Sequence, residues 1–66
     1  MDNRLEGIYL TNGMKATDYV ESLHEEDKEV ATEAILECMR LGYNLNRVEI
    51  EGKGREINRK RMGIIR

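Results

Sequence analysis

Hydrophobic and polar positions alternate differently in different parts of this chain. Residues 5–11 (LEGIYLT) are short, β-branched and aromatic enough to predict a strand. Asn12-Gly13 follows, a strong turn signal because both residues tolerate positive φ. The turn either closes a small hairpin with residues 14–16 or directs the chain into a helix, and the pattern leaves both open.

From residue 16 the period changes. Ala16, Tyr19, Val20, Leu23, Val30, Ala34, Cys38 and Leu41 recur at close to helical spacing. Thr17 and Asp18 suit a helix N-cap, and Gly42 suits the position just past a helix end. Asp27 interrupts the stripe where an apolar residue belongs. Ser22-Leu23-His24-Glu25 reads as a capping box, and the acidic run Glu25-Glu26-Asp27 suits a helix N-terminus. The segment is one helix of about 24 residues or a short helix (17–22) followed by a long one (24–41). The second version accounts for both Asp27 and the acidic run, and is preferred.

Beyond Gly42 the pattern alternates again. Val48 and Ile50 share one face of residues 45–51, with Arg47, Glu49 and Glu51 on the other. Gly52-Lys53-Gly54 reads as a turn, and residues 55–61 as a returning strand with Ile57 facing Ile50. That register sets Glu51 opposite Glu56, a small penalty. The sequence therefore predicts one α+β domain over residues 1–66, of order β-α-β-β, with one main helix on a small antiparallel sheet.

The second half of the helix carries more apolar surface than such a sheet covers. Ile35, Leu36 and Met39 fall off the core stripe, and the apolar end of the chain (Met62, Ile64, Ile65) also needs cover. Either the tail folds back over Leu36 and Met39, or these six residues form a contact with a second subunit or another protein. Glutamates also recur four apart, at Glu21, Glu25, Glu29, Glu33 and Glu37. Each like-charge step costs about 0.2–0.5 kcal/mol on an isolated helix. The ladder is a solvated face or a docking ridge for a basic partner. That partner would be the chain's own basic segment in a homodimer, or a nucleic-acid-binding protein.

Composition sharpens this picture. In 66 residues there are no Pro, Trp or Phe, one Cys and one His. A chain so short buries only about 60% of its unfolded surface, and small scaffolds compensate with disulfides, metals or oligomerisation. A lone cysteine, Cys38, excludes an internal disulfide, and a lone histidine, His24, argues against a zinc module. Oligomerisation is the compensation left. The net charge of −2 hides a segregation: residues 1–44 carry four basic against ten acidic residues, residues 45–66 seven against three. The basic group is Arg47, Lys53, Arg55, Arg59, Lys60 and Arg61. These residues are candidate phosphate contacts, or charges guarding an edge strand. No aromatic residue interleaves them, and the acidity elsewhere opposes nucleic-acid binding.

Catalytic chemistry finds little support. Cys38 lies on the apolar stripe and reads as a small buried hydrophobe rather than a thiolate. His24 has no matching nucleophile or second ligand, and residues 52–54 lack the spacing of a phosphate loop. No cofactor or metal is expected. No apolar run approaches the roughly 18 residues of a membrane span, and residues 1–4 do not open a secretory signal. A cytoplasmic setting is therefore expected. The sequence points to a small non-enzymatic protein, acting stoichiometrically as a homodimer, that regulates or inhibits another macromolecule through the acidic helix face. The alternative is a nucleic-acid-binding module using the basic C-terminal hairpin.

Overall fold

The structure, a computed structural model, describes residues 3–62. A short 3-10 turn (Asn3–Leu5) precedes three helices: α1 (Ala16–Glu21), α2 (Glu25–Leu41) and α3 (Arg47–Met62). Among the described residues there is no strand. The only β feature among them is an isolated antiparallel bridge between Tyr9 and Lys15. The α+β, β-α-β-β expectation is thus overturned, and the domain is all-helical.

Residues 5–11 fold as a turn-rich approach to α1 instead of a strand. The Ile8 N–H donates to the Leu5 carbonyl (3.1 Å) and the Leu10 N–H to the Met14 carbonyl (2.8 Å). Gly13, at φ +90°, turns the chain between them, and Asn12 Oδ1 accepts the Met14 N–H at 2.9 Å. The Asn12-Gly13 signal is real, but what it closes is a one-bridge loop. Leu5 and Leu10 point inward from this loop and are almost completely buried.

The helical stretch is broken in two. Ser22 ends α1 and His24 stands in extended conformation before α2. The capping box does not form: Ser22 Oγ donates back to the Tyr19 carbonyl at 2.6 Å, and α2 starts without a side-chain cap. Lys15, not Thr17 or Asp18, is the residue before α1. The acidic first turn of α2 supplies the favourable charge at that helix start. Asp27 lies there, exposed, one turn before the first buried residue, Val30. At the other end Gly42 adopts φ +79°. Its N–H reaches the Met39 carbonyl, and the Tyr43 N–H reaches the Cys38 carbonyl at 2.8 Å, the paired bonds of a Schellman ending.

The largest correction concerns residues 45–61. The two expected strands and the turn at 52–54 form one continuous helix, α3. Asn46 caps it, with Oδ1 accepting the Glu49 N–H at 2.8 Å. Ile50, Gly54, Ile57 and Arg61, spaced four, three and four apart, face α2. Ile50 is 1% exposed, and a Cβ on Gly54 would sit 3.6 Å from Val30 Cγ1. Val48, paired with Ile50 by the alternation reading, is 76% exposed. Helix α2 is therefore central, running antiparallel to α3 and also packing against α1. Ile35 and Cys38 on α2, Tyr19 and Val20 on α1, and Ile50 on α3 meet in one core.

Candidate functional site

The charged surface of this hairpin is where function has to be sought, and its starting point is the glutamate ladder. Glu21 and Glu25 share Lys28, at 3.6 and 3.5 Å. Glu37 is held by Arg40 one turn on, which keeps the Glu37 carboxyl below the ordinary range and raises Arg40. Glu29 and Glu33 are reached from α3 by Arg61, at 4.0 and 2.7 Å. All five ladder carboxylates therefore face a cation of their own chain. This is why a helix with repeated like charges is tolerated: the break between α1 and α2 takes Glu21 out of register, and three cations relieve the other steps.

The six basic residues do not form one patch. Arg47 pairs with Glu51 (3.3 Å), Lys53 with Glu56 (2.7 Å) and Arg61 with the ladder. The Lys53 ammonium also stands 5.8 Å from the Tyr43 ring centroid, a cation–π distance. The bond to Glu56 raises Lys53 above the ordinary ammonium value and lowers Glu56. Arg55, Arg59 and Lys60 are exposed; none makes a close ion pair among the described residues, although Arg59 and Lys60 help to lower Glu56, and Lys60 helps to lower Glu37.

The apolar contact residues separate in the same way. Ile35 is completely buried inside the chain and is part of the core, so it is not available to a partner. Leu36 is half-buried against the core, beside Ile57 of α3. Met39 is 45% exposed. Ile64 and Ile65, together with the side chain of Met62, lie outside the described residues. Sequence reasoning went wrong on Ile35 because a single stripe was assigned to α2, whereas α1 and α3 cover two different sides of it.

Shallow clefts lined by described residues mark the surface. One of about 490 Å³ lies between α1 and α2, with Leu5, Val20 and Thr32 among its lining and Glu21, Glu25, Glu29, Lys28 and Arg4 at its edge. A second, of about 350 Å³, runs between α2 and α3 over Leu36 and Ile57. The third, of about 230 Å³, is at the start of α3, lined by Tyr43, Val48, Glu49, Gly52, Lys53 and Glu56. Among the described residues no group of three or more His, Cys, Asp or Glu is placed to hold a metal ion. No buried side-chain polar atom among them lacks a partner. His24 is exposed at the α1–α2 turn. Cys38 is buried and its thiol donates weakly to the Glu49 carbonyl at 3.8 Å; burial pushes its pKa up, away from reactivity.

Comparison with protein families, curated proteins and solved structures finds no match to this chain. No helix among the described residues is long and apolar enough to cross a membrane. Two features escaped the sequence reading although their signals were present. Asn46 followed three residues later by Glu49 is an N-cap pattern, and Ile50 with Ile57 is a helical spacing.

Proposed function

We propose that this protein is a small non-enzymatic binding protein that acts stoichiometrically, as a homodimer, to regulate or inhibit another macromolecule. Its contact for that partner is the acidic side of the α1–α2 junction. The supporting observation is the uneven way the ladder is satisfied. Glu33 and Glu37 have close partners, whereas Glu21 and Glu25 share one lysine at 3.5–3.6 Å across an open cleft. A cation shared at such distances is easily displaced, because exposed pairs are worth about 0–1 kcal/mol. A lysine or arginine of a basic partner can enter over the apolar floor of Leu5 and Val20 and take both carboxylates.

The test is recovery of partners from native lysate with wild type beside Glu21→Gln/Glu25→Gln. Both side chains are exposed, so the fold is expected to survive, and partners held by this face are expected to be lost. Equal recovery by both proteins would reduce the ridge to a solubility feature. The second reading, a nucleic-acid module, draws on Arg55, Arg59 and Lys60, which are exposed and make no close ion pair among the described residues. Three phosphate contacts predict a shallow salt dependence, with a log–log slope of about −3 on duplex DNA. Absence of binding at low salt would end that reading.

A further inference from the structure

Helix α3 carries two glycines in its interior, and only Gly54 faces another helix. Gly52 lies on the outward side, where an added Cβ would meet nothing nearer than the Arg55 guanidinium at 4.0 Å. Its φ is not in the left-handed region, so neither backbone conformation nor internal packing calls for glycine here. Glycine in a helix nonetheless costs stability relative to alanine. What an outward glycine provides is close approach by something outside the chain.

The rest of that face indicates what approaches. At helical spacing Val48, Gly52, Arg55 and Arg59 form one stripe turned away from α2, with Glu51 beside it. Val48 is the most exposed large hydrophobic side chain among the described residues. It lies with Gly52 in the small cleft bounded by Tyr43, Glu49, Lys53 and Glu56. The first turns of α3 thus present Val48 in a shallow depression where, among the described residues, Glu56 is taken by Lys53 and Glu49 has no close ion pair. The later turns present two exposed arginines that make no close ion pair among the described residues. One helix carries both halves of a complementary contact.

From this, and resting on the homodimer in the reading above, we propose that the outward face of α3 is the contact between two copies of this chain. The two α3 helices pack antiparallel about a two-fold axis near Gly52. Such an axis sets the Arg55–Arg59 half of each helix over the Val48 half of the other, so every contact is made twice. The aliphatic stem of an arginine covers Val48 while its guanidinium reaches Glu49 or Glu51 of the other copy. Gly52 lets the two backbones close to short range, as small residues do wherever helices cross tightly. The face does not overlap the α1–α2 cleft, so a dimer built here leaves both acidic clefts open to a foreign partner.

Sedimentation equilibrium at about 100 µM protein and low salt decides the matter. Wild type is expected to run as a dimer that weakens as salt screens the arginine–carboxylate contacts. Gly52→Gln places a side chain at the crossing point and is expected to weaken dimerisation at least about tenfold. It should not lower the melting temperature of dilute protein, because the residue meets open space and gains helix propensity. Arg55→Glu/Arg59→Glu is expected to give monomers, and adding Glu49→Arg/Glu51→Arg to the same chain to restore dimers. If the fourfold variant does not fold, Gly52→Gln decides alone. Monomeric wild type overturns the interface together with the homodimer. A dimer indifferent to both Gly52→Gln and the arginine reversals overturns this interface and leaves the homodimer standing. Duplex DNA binding that needs Arg55 and Arg59, in a protein that stays monomeric, assigns the stripe to phosphate instead and overturns the proposal.

Discussion

Ile35 and Met39 are one helical turn apart on α2, yet they belong to different environments. Ile35 is 0% exposed and Met39 is 45% exposed. Truncating a buried isoleucine removes its transfer energy and leaves a cavity, so Ile35→Ala is expected to cost about 2–5 kcal/mol. Met39→Ala should stay within about 0.5 kcal/mol, as surface changes do. Urea titration of the two variants checks this; similar losses would mean that Met39 is packed as Ile35 is. Cys38, close to both, makes stability depend on pH. Burial, then the neighbouring Glu49 charge, holds its pKa above the ordinary 9.0, with Lys53 opposing. Tyr19 is raised by burial and by Glu51, with Arg47 opposing. For groups raised on folding, the stabilising contribution is complete below the unfolded-state value and is lost as pH rises through the folded one. The urea midpoint should therefore fall once pH passes the ordinary thiol value of 9.0, and further beyond the phenol's 10.0. Cys38→Ala, starting from a lower midpoint, should lose the first part of that fall. An unchanged alkaline profile in Cys38→Ala would show that the thiol does not titrate differently on folding.

At the scale of elements, α2 was readable and α3 was not, for physical reasons. The broken stripe, the acidic run before Lys28 and the terminal Gly42 are local signals, and the structure has the two helices and the Schellman ending they imply. In α3 the local signals conflict. Arg47 to Glu51 alternate as a strand would, and two glycines flank Lys53 as a turn would. What overrides them is tertiary: Ile50, Gly54, Ile57 and Arg61 fall on one helical face only, and α2 supplies the surface that this face covers. The acidic ladder was legible as a pattern. Its neutralisation was not, because Arg61 meets Glu29 and Glu33 only once α3 is a helix antiparallel to α2. A helix formed against its propensities is held weakly where contacts thin out. Beyond Gly54, among the described residues, Ile57 packs on the core and Arg61 ties the end. Arg61→Gln is therefore expected to speed hydrogen exchange in residues 57–61 while changing global stability by less than about 1 kcal/mol. Gly54→Ala should act oppositely and stabilise by about 0.5–1 kcal/mol, because its Cβ meets Val30 at an ordinary 3.6 Å. Exchange at residues 57–61 left unchanged by Arg61→Gln would show that this pair does not hold the helix end.

On the scale of the whole molecule, the described body measures 38 × 25 × 17 Å, a helical hairpin with a short helix and a turn packed on one side. The acidic and basic halves of the sequence are folded side by side, and Arg61 pairs across them with Glu29 and Glu33, whereas the other ion pairs among the described residues form within one half or the other. A body this small has little core to spare: domains near 60 residues bury only about 60% of their unfolded surface, and their stability is correspondingly marginal. Association of native chains then adds to stability by mass action, which an isolated monomer lacks. The dimer through α3 makes a thermal prediction. Raising the protein from about 5 to about 500 µM should raise the melting temperature by several degrees, since 1 kcal/mol shifts a domain of this size by about 4–8 °C. Gly52→Gln should show a smaller rise over the same range, its dimer being weaker by at least about tenfold. Coupling of this kind needs no knowledge of the foreign partner, and circular dichroism at the helical minimum reads it directly. A wild-type melting temperature that stays constant across the series would mean that 66 residues fold unaided and that the outward face of α3 meets only solvent.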